Sequence, residues 1–452
     1  MPGLTSELAS FVCEAQFPDL PERAVQIVQS GFADTIGTMV AGRDEPVVKI
    51  ARQIIASRGS APPEASLVLG AEKAASCDAA LVNGAAGHAL DFDDVALGGH
   101  PSTVLVPAVL AESERLKASG QDALIAYLVG YEVWAELFYR EQDAYHLKGW
   151  HPTAVLGAVG AAAAVARLNR LSLLQTSHAI AIAASMAGGL VANFGTMTKP
   201  LHAGRAAAAG IDAVRYALAG LTAAPDAIEH HAGYLAALSP AGRVDRSSPA
   251  AELGRKLRVL DYGLSIKKYP TCYATHRVID GVLDITRERR LRLGDIKEVR
   301  ARIGVAQASM LRNHEPVTGL EAKFSLEFAV ASALVAGKVG LSELTDGFVN
   351  QPPVREAMGK VRISTDDSQC PIEPIFAVHD SVQILLNDGA TLESGDIRFA
   401  RGNAMAPLNG DDLRNKFLDC TAGAPGLNAQ ALYSQLADLR SLPDMAALAR
   451  AA

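Results

Sequence analysis

The sequence predicts a mainly α-helical protein that carries a smaller α/β domain. Apolar residues recur with helical spacing from the start of the chain to about residue 266, and alanine is abundant throughout this part. Beyond it, the segments EVRARIGV and AVHDSVQILLNDGATLES alternate between apolar and polar residues as strands do. The apolar segment KFSLEFAVASALVAGK lies between them and is typical of a buried helix. A chain of 452 residues can hold two such domains.

Capping signals place several helices in the first part of the chain. One helix is predicted to begin near Pro21 and to end at Gly42, because proline is favoured in a first turn and glycine follows helix ends. Asp122 and Ser172 are the predicted N-caps of two later helices. Small residues on these helices permit close packing, so we expect a compact helical body.

The change of pattern also predicts the domain boundaries. A large helical domain is expected over residues 1–266 and a smaller α/β domain over 267–402, with a hairpin turn at Asp388-Gly389. Residues 403–452 return to amphipathic helices and are expected to complete the first domain. Such a chain would form a cleft between two lobes, which is a common place for a binding site.

Composition excludes several classes of function. The net charge is −7 with no basic cluster, which argues against nucleic acid and anionic membranes as partners. The N-terminus has no signal-peptide pattern, and the longest apolar runs are too rich in alanine and glycine to span a membrane. Five scattered cysteines form no CxxC pair, and no Gly-rich nucleotide motif is present. We therefore expect a cytoplasmic enzyme without a cofactor.

Three aspartates stand where a predicted helix ends, in the stretch HALDFDDVALGGHPS. Asp91, Asp93 and Asp94 oppose the negative end of the helix dipole, so a metal site, a solvated loop or a catalytic cluster is needed to explain them. Asp91 and Asp94 share a helical face near His100, and two carboxylates with waters suit Mg²⁺. No further acidic motif completes the ligand shell, so the sequence predicts no metal and a helix-capping role for Asp93.

Three further stretches place a basic or proton-transferring residue beside proline or glycine in an apolar context: KGWHPTAVLG, TMTKPLHAGRAAAAG and IKKYPTCYATH. His100, His151 and Lys199 each precede a proline, which disfavours helix at the residue before it. Each side chain is thus expected at a helix entrance. A single stretch of this kind usually only marks the start of a helix. Four of them, counting the aspartate stretch that contains His100, predict a shared site.

On these four stretches the sequence resembles the MmgE/PrpD family along nearly its whole length. The family includes 2-methylcitrate dehydratases, cis-aconitate decarboxylases and an iminodisuccinate epimerase. The resemblance implies a cofactor-free homodimer, in which each chain has a large helical domain and a smaller α/β (α+β) lid. It also implies a small di- or tricarboxylate as the substrate.

By resemblance, the family's site residues fall on Asp91, His100, His151, Lys199 and Lys267. Their chemistry suits such a substrate, because lysines and protonated histidines bind carboxylates. Removing a proton next to a carboxylate builds enolate charge, which fixed positive charge stabilises. Asp91 would orient a histidine or set its protonation, in a site expected between the two lobes.

The sequence departs from decarboxylase-like members at three positions. It has Val95, Cys272 and Phe328 where those members carry threonine, histidine and tyrosine, and the loop before His100 is one residue shorter. These losses disfavour decarboxylation. Cys272 is instead predicted in the first turn of a helix with lysines nearby, where a thiol loses its proton more readily. As a thiolate it would act as one of two opposed bases, with Tyr145 as a weaker candidate for that role. The alternative is a small buried cysteine that only fills space.

Three hypotheses follow from the sequence. The favoured one is a cofactor-independent isomerase that epimerises a substituted succinate such as iminodisuccinate by proton abstraction and return. The alternative is a hydro-lyase of the 2-methylcitrate dehydratase type. The third is a non-catalytic carboxylate-binding protein, against which the retention of all five family site residues argues.

Overall fold

The computed structural model describes residues 3–59, 61–289, 291–373 and 376–451. The chain divides into two compact units: the first comprises Met1–Ile266 and Leu413–Ala452, and the second comprises Lys267–Asp412. Helices dominate the first unit, and the second combines helices with a four-stranded sheet. The mainly helical fold with a smaller α+β part is therefore confirmed. Among the described residues, no helix is both long and apolar enough to cross a membrane.

The first unit is built from helices and one small antiparallel hairpin, β1 (Ala65–Ser66) with β2 (Lys73–Ala74). Its helices are α1 (Leu4–Glu14), α2 (Glu22–Gly42), α3 (Pro46–Ser57), α4 (Ser76–Ala89), α5 (Ser102–Leu116), α6 (Gly120–Tyr139), α7 (Pro152–Leu168), α8 (Leu173–Met186), α9 (Thr198–Leu218), α10 (Tyr234–Leu238) and α11 (Arg258–Tyr262), followed near the C-terminus by α18 (Gly410–Thr421), α19 (Ala429–Ala437) and α20 (Ala447–Ala451). The boundary between the units falls within the first turn of α18.

Helix ends agree with the sequence prediction at most of the marked positions. Helix α2 ends at Gly42, and the Ser172 side chain caps α8 by accepting from the Gln175 backbone N–H, as predicted. The prediction of Asp122 as an N-cap is wrong. Ser119 caps α6, and Asp122 accepts in return from the Ser119 backbone N–H, because the two form a reciprocal capping box.

Two glycines bring α4 and α9 into direct backbone contact. Gly84 faces Gly204, and a Cβ on Gly204 would lie 2.1 Å from the Leu81 carbonyl oxygen. Any larger residue there would force the helices apart. Since Gly84 precedes the end of α4 and Gly204 follows the start of α9, this contact places the end of one helix beside the start of the other.

The second unit has a mixed sheet in the order β4-β3-β5-β6, in which β3 pairs parallel with β4 and the other pairs are antiparallel. Val299 pairs with Val361 and Ala301 with Val382. The turn at Asp388-Gly389 joins β5 to β6, as predicted. The elements are α12 (His276–Glu288), β3 (Ile296–Gly304), α13 (Val305–Met310), α14 (Gly319–Ala322), α15 (Leu326–Ala336), α16 (Asp346–Val349), α17 (Pro352–Gly359), β4 (Val361–Asp366), β5 (Ser381–Leu386) and β6 (Thr391–Glu393).

The second unit extends ten residues beyond the predicted boundary at residue 402. The Asn403 side-chain amide donates to the Tyr273 hydroxyl at 2.8 Å and to Glu373 at 2.9 Å. Lys268 pairs with Asp412 at 2.8 Å. These bonds tie residues 403–412 to the second unit, although their polar composition resembles that of the helices that follow.

Candidate active site

The helix termini of the first unit gather the predicted side chains. His88 lies in the last turn of α4, and His100 lies two residues before α5. His151 is the residue before α7, and Lys199 stands in the first turn of α9. The His100 backbone N–H donates to the Thr153 hydroxyl at 3.1 Å, which joins the entrances of α5 and α7.

One carboxylate joins two histidine rings at the centre of this cluster. His88 Nδ1 lies 2.9 and 3.0 Å from the two oxygens of Asp93, and His100 Nδ1 lies 2.9 Å from Asp93 Oδ2. The side chains of His88 and Asp93 are fully buried, and that of His100 is 12% exposed. His100 is thus the ring of this pair that a ligand can reach.

Charge and burial set the protonation of these groups. Although burial opposes ionisation, the two histidines hold the pKa of Asp93 well below its usual range. Burial lowers the pKa of His88 to about 4 despite the neighbouring Asp93. At neutral pH, Asp93 is therefore ionised and His88 is neutral.

The hydrogen bonds of His100 define which nitrogen carries its proton. His100 Nδ1 also lies 2.9 Å from the backbone carbonyl oxygen of Asp94. A carbonyl oxygen and an ionised carboxylate only accept hydrogen bonds, so Nδ1 must carry the hydrogen. In the neutral ring the lone pair is therefore on Nε2.

Asp91 and Lys199 form an ion pair beside the histidines. Lys199 Nζ lies 2.7 Å from Asp91 Oδ1, with the two side chains 17% and 26% exposed. Asp91 has a φ of +54°, an unfavourable conformation for a residue with a side chain, and this turn brings its carboxylate back toward the end of α4. A strained aspartate held by a lysine at a histidine cluster is typical of a functional site.

A second histidine pair adjoins the first. His151 Nδ1 and His202 Nδ1 are 3.2 Å apart, so one ring donates to the other. The Phe194 ring packs edge-on against His151 with centroids 4.8 Å apart, and Lys199 Nζ lies 5.4 Å from the Phe194 centroid. Burial, with repulsion from the other histidines and Lys199, holds the pKa of His151 far below its usual range. His151 is therefore neutral.

Asp93 has a different role from the helix-capping role predicted for it, and Asp94 is neither one of the candidate metal ligands nor a cap of α4. The Asp94 carboxyl accepts from the Ser102 hydroxyl, and burial raises its pKa well above the usual value. Asp93 does not cap α4, because its carboxylate binds His88 and His100. The helical spacing used in the prediction stops at Ala89, and the positive φ of Asp91 redirects the chain beyond it.

A buried lysine from the C-terminal part of the chain anchors this loop. Lys416 Nζ donates to the Phe92 carbonyl oxygen at 2.7 Å and lies 4.0 Å from the Phe92 ring centroid. It also pairs with Asp34 at 2.5 Å, and both charged side chains are almost completely buried. Phe92 is thereby fixed between Asp91 and Asp93, the two aspartates of the cluster.

Four side chains could together hold a metal ion. His88, Asp91, Asp93 and His100 each offer one ligand atom, and these atoms lie within 4.8 Å of one another. Both carboxylates already have cationic or hydrogen-bonding partners, namely Lys199 for Asp91 and the two histidines for Asp93. The Lys199 ammonium would also repel a divalent cation.

We therefore predict that activity survives chelation. Dialysis against EDTA should leave kcat/KM unchanged, because the positive charge at the site comes from Lys199. The measurement compares dialysed protein with and without added Mg²⁺, Mn²⁺ or Zn²⁺. Loss of turnover in EDTA that a metal restores would make the four residues ligands and contradict this prediction.

Tyr145, the weaker candidate base, is occupied elsewhere. It lies in the 3₁₀ turn Tyr145–Lys148, and its hydroxyl donates to the Leu137 carbonyl oxygen at 3.2 Å. Burial raises the pKa of this phenol above its usual value. Both features disfavour proton abstraction by Tyr145.

The two remaining predicted residues belong to the second unit, which Lys267 begins. Cys272 does not lie in the first turn of α12. It precedes the 3₁₀ turn Tyr273–Thr275, and its backbone N–H donates to the Lys323 carbonyl oxygen at 2.8 Å. Its side chain packs against the apolar core of this unit. Cys272 therefore lies one 3₁₀ turn before α12 and not inside the first turn of that helix.

The other two departures from decarboxylase-like members are Val95 and Phe328, and both have apolar side chains. Val95 pairs through its backbone with Ser265, by bonds of 2.9 and 3.0 Å. Phe328 is fully buried in an apolar cluster and meets the Phe348 ring edge-on.

His88 and Phe194 are the main residues of the cluster that the sequence did not single out, and Asp93 was assigned only a helix-capping role. A histidine in an apolar, alanine-rich helix just before three aspartates was the available signal for His88. Phe194 gave no signal, because its contact with His151 depends on the path of the loop between α8 and α9.

Comparison with known proteins identifies the family. The MmgE/PrpD N-terminal domain model matches residues 6–247, and the MmgE/PrpD C-terminal domain model matches residues 269–437. The chain belongs to the MmgE/PrpD family, as the resemblance implied.

Three relatives share most of its length. A cis-aconitate decarboxylase of Mus musculus is 33% identical over 75% of this chain and 70% of its own. That of Homo sapiens is 31% identical, covering 92% and 87%, and that of Aspergillus terreus is 25% identical, covering 86% and 84%. These relatives are enzymes named for a carboxylate substrate, and the epimerase reaction that the sequence favoured finds no support among them.

Proposed function

We propose that this protein is a lyase that removes water from a small tricarboxylate of the 2-methylcitrate class. The observation that carries the proposal is a basic histidine nitrogen, His100 Nε2, in a cluster with a lysine cation. Asp91, which binds Lys199, offers an oxygen within 4.8 Å of the ligand atoms of His88, Asp93 and His100. A base beside a fixed cation suits proton removal next to a carboxylate.

The reaction can be written with these residues. His100 Nε2 takes the proton from the carbon next to a carboxylate, and the electrons of that C–H bond form the new C=C bond. The C–O bond to the hydroxyl on the neighbouring carbon breaks, and the leaving group departs as water after receiving a proton. Lys199 stabilises the enolate charge. His100 then carries the abstracted proton on Nε2, and this imidazolium is the candidate proton donor to the leaving hydroxyl, because the lowered pKa of His151 keeps that neighbouring ring neutral.

Elimination takes precedence over the epimerisation that the sequence favoured. The relatives at 31–33% identity are named for lyase chemistry, and Cys272 packs against an apolar core. An epimerase would need a second base on the opposite face of the substrate carbon. Neither Cys272 nor Tyr145 has surroundings that favour this role.

Decarboxylation of cis-aconitate is the second candidate, because of the names of those relatives. Against it stand the three departures from decarboxylase-like members, since Val95, Cys272 and Phe328 supply neither the hydroxyls nor the imidazole found there. We therefore rank dehydration first.

One experiment separates the candidates. The protein is incubated in D₂O with 2-methylcitrate, cis-aconitate and iminodisuccinate separately, and the products are followed by NMR. Loss of water from 2-methylcitrate supports the proposal, whereas loss of CO₂ from cis-aconitate would support the second candidate instead. Inversion of iminodisuccinate without elimination would restore the epimerase hypothesis, and no change in any of them would overturn the proposal.

We also propose that the enzyme works as a homodimer in the cytoplasm. The loop between α8 and α9, whose Phe194 contacts His151, exposes Leu190, Phe194 and Met197 by 50%, 38% and 53%. Clustered exposed apolar side chains favour a protein partner. The five scattered cysteines of the sequence form no CxxC pair, which fits a reducing compartment.

The expected solution mass is twice the 47.3 kDa of one chain. Sedimentation velocity measures it, and Leu190→Glu should shift the protein toward the monomer, because a charge would be buried at the contact. A monomeric parent protein at micromolar concentration would contradict the proposal.

A further inference from the structure

We propose that Asp93 is the positioning residue that makes His100 the base of this site. The inference rests on the proposed function, because it concerns the same proton transfer. Asp93 does not act on the substrate itself. It fixes the ring of His100, and its other hydrogen-bonding partner is His88.

The geometry defines how Asp93 acts on His100. The His100 N–H at Nδ1 faces two acceptors, Asp93 Oδ2 and the Asp94 carbonyl oxygen, each 2.9 Å away. A ring held by both acceptors cannot turn over, so its Nε2 lone pair keeps one direction. A fixed base needs no reorganisation when the substrate arrives.

The negative charge of Asp93 also favours proton uptake by His100. When His100 takes a proton its ring becomes a cation, and the ionised Asp93 beside it is completely buried, where attraction is strong. His88, the other partner of Asp93, is also buried, and its ring centroid lies 4.4 Å from that of His100. Because His88 remains neutral at neutral pH, the negative charge of Asp93 is available to His100.

The neighbouring aspartate provides a matched control. Asp94 is buried as completely as Asp93, but its carboxyl bonds to Ser102 and is held neutral by burial. Asparagine at position 94 therefore replaces a neutral group of the same shape, and it can still accept from Ser102. Asparagine at position 93 removes the negative charge. Its side-chain NH₂ also faces the N–H of His88 or of His100, so that two donors oppose each other.

The kinetic test compares Asp93→Asn with Asp94→Asn. We expect kcat of Asp93→Asn to fall by roughly 10²-fold or more, with KM little changed, because His100 loses the carboxylate that orients it and stabilises its cation while the substrate contacts are kept. Asp94→Asn should keep kcat close to that of the parent. Equal kcat values for Asp93→Asn and the parent would overturn the proposal, as would an equal loss in both variants.

A spectroscopic test needs neither turnover nor a folded Asp93 variant. The ¹⁵N shifts of the histidine rings distinguish Nδ1–H from Nε2–H, and the His100 signal is assigned by its loss in His100→Gln. The parent protein should show Nδ1–H on His100. An Nε2–H signal there would overturn the proposal even if the lyase activity is found, whereas an Nδ1–H signal without lyase activity would leave the geometry intact and refute the proposed function.

Discussion

Replacing His100 with glutamine is expected to lower kcat/KM by roughly 10²- to 10⁴-fold, which is the contribution of a general base. Glutamine occupies a similar volume but has no lone pair of comparable basicity at the Nε2 position. Steady-state kinetics with the active substrate measure the effect. Exchange of the substrate proton with D₂O should be lost to the same extent, because the first step fails.

His231→Gln is the matched control for this variant. His231 is exposed on the first unit and lies outside the cluster, so the same replacement there should leave kcat/KM unchanged. Circular dichroism and the thermal midpoint confirm that both variants are folded. Proton exchange at the parental rate in His100→Gln would assign the base to another residue.

Replacing Lys199 with methionine is expected to lower kcat/KM by roughly 10²-fold or more, the magnitude for one lost electrostatic donor. Methionine retains much of the apolar stem, so the change removes mainly the charge. Two effects act together, because the enolate loses its cation and the strained Asp91 loses its ion pair. We expect KM to rise as well, since the same ammonium would bind a substrate carboxylate.

Lys49→Met is the control for the loss of a lysine. Lys49 is exposed on α3, and its replacement should leave the kinetics unchanged. Lys267→Met is expected to lower kcat/KM to a similar extent as Lys199→Met, if Lys267 has the clamping role that the family resemblance implies. Near-normal kinetics in both Lys199→Met and Lys267→Met would place the substrate elsewhere.

The fold class could be predicted because it depends on patterns within single elements. The helical spacing before residue 266, the strand alternation after it and the turn at Asp388-Gly389 all correspond to observed elements. Local capping was harder to predict. Ser119 and Asp122 are both acceptable caps, and only the reciprocal hydrogen bonds determine which of them begins α6.

The sequence by itself determined that three of the candidate site residues stand at helix entrances. The proline that follows His100, His151 and Lys199 limits the backbone at each of them, and this restriction is local. The structure places these three residues in or beside the first turns of α5, α7 and α9.

Only the tertiary structure decided how these side chains combine. Asp93 meets His88 and His100 because the chain turns at Asp91 with a positive φ, beyond the helix whose spacing the prediction followed. Lys416 reaches Phe92 across 324 positions of sequence. Such contacts arise from the packing of segments that are distant in sequence. A local sequence pattern does not predict which distant side chain will pack against a given residue.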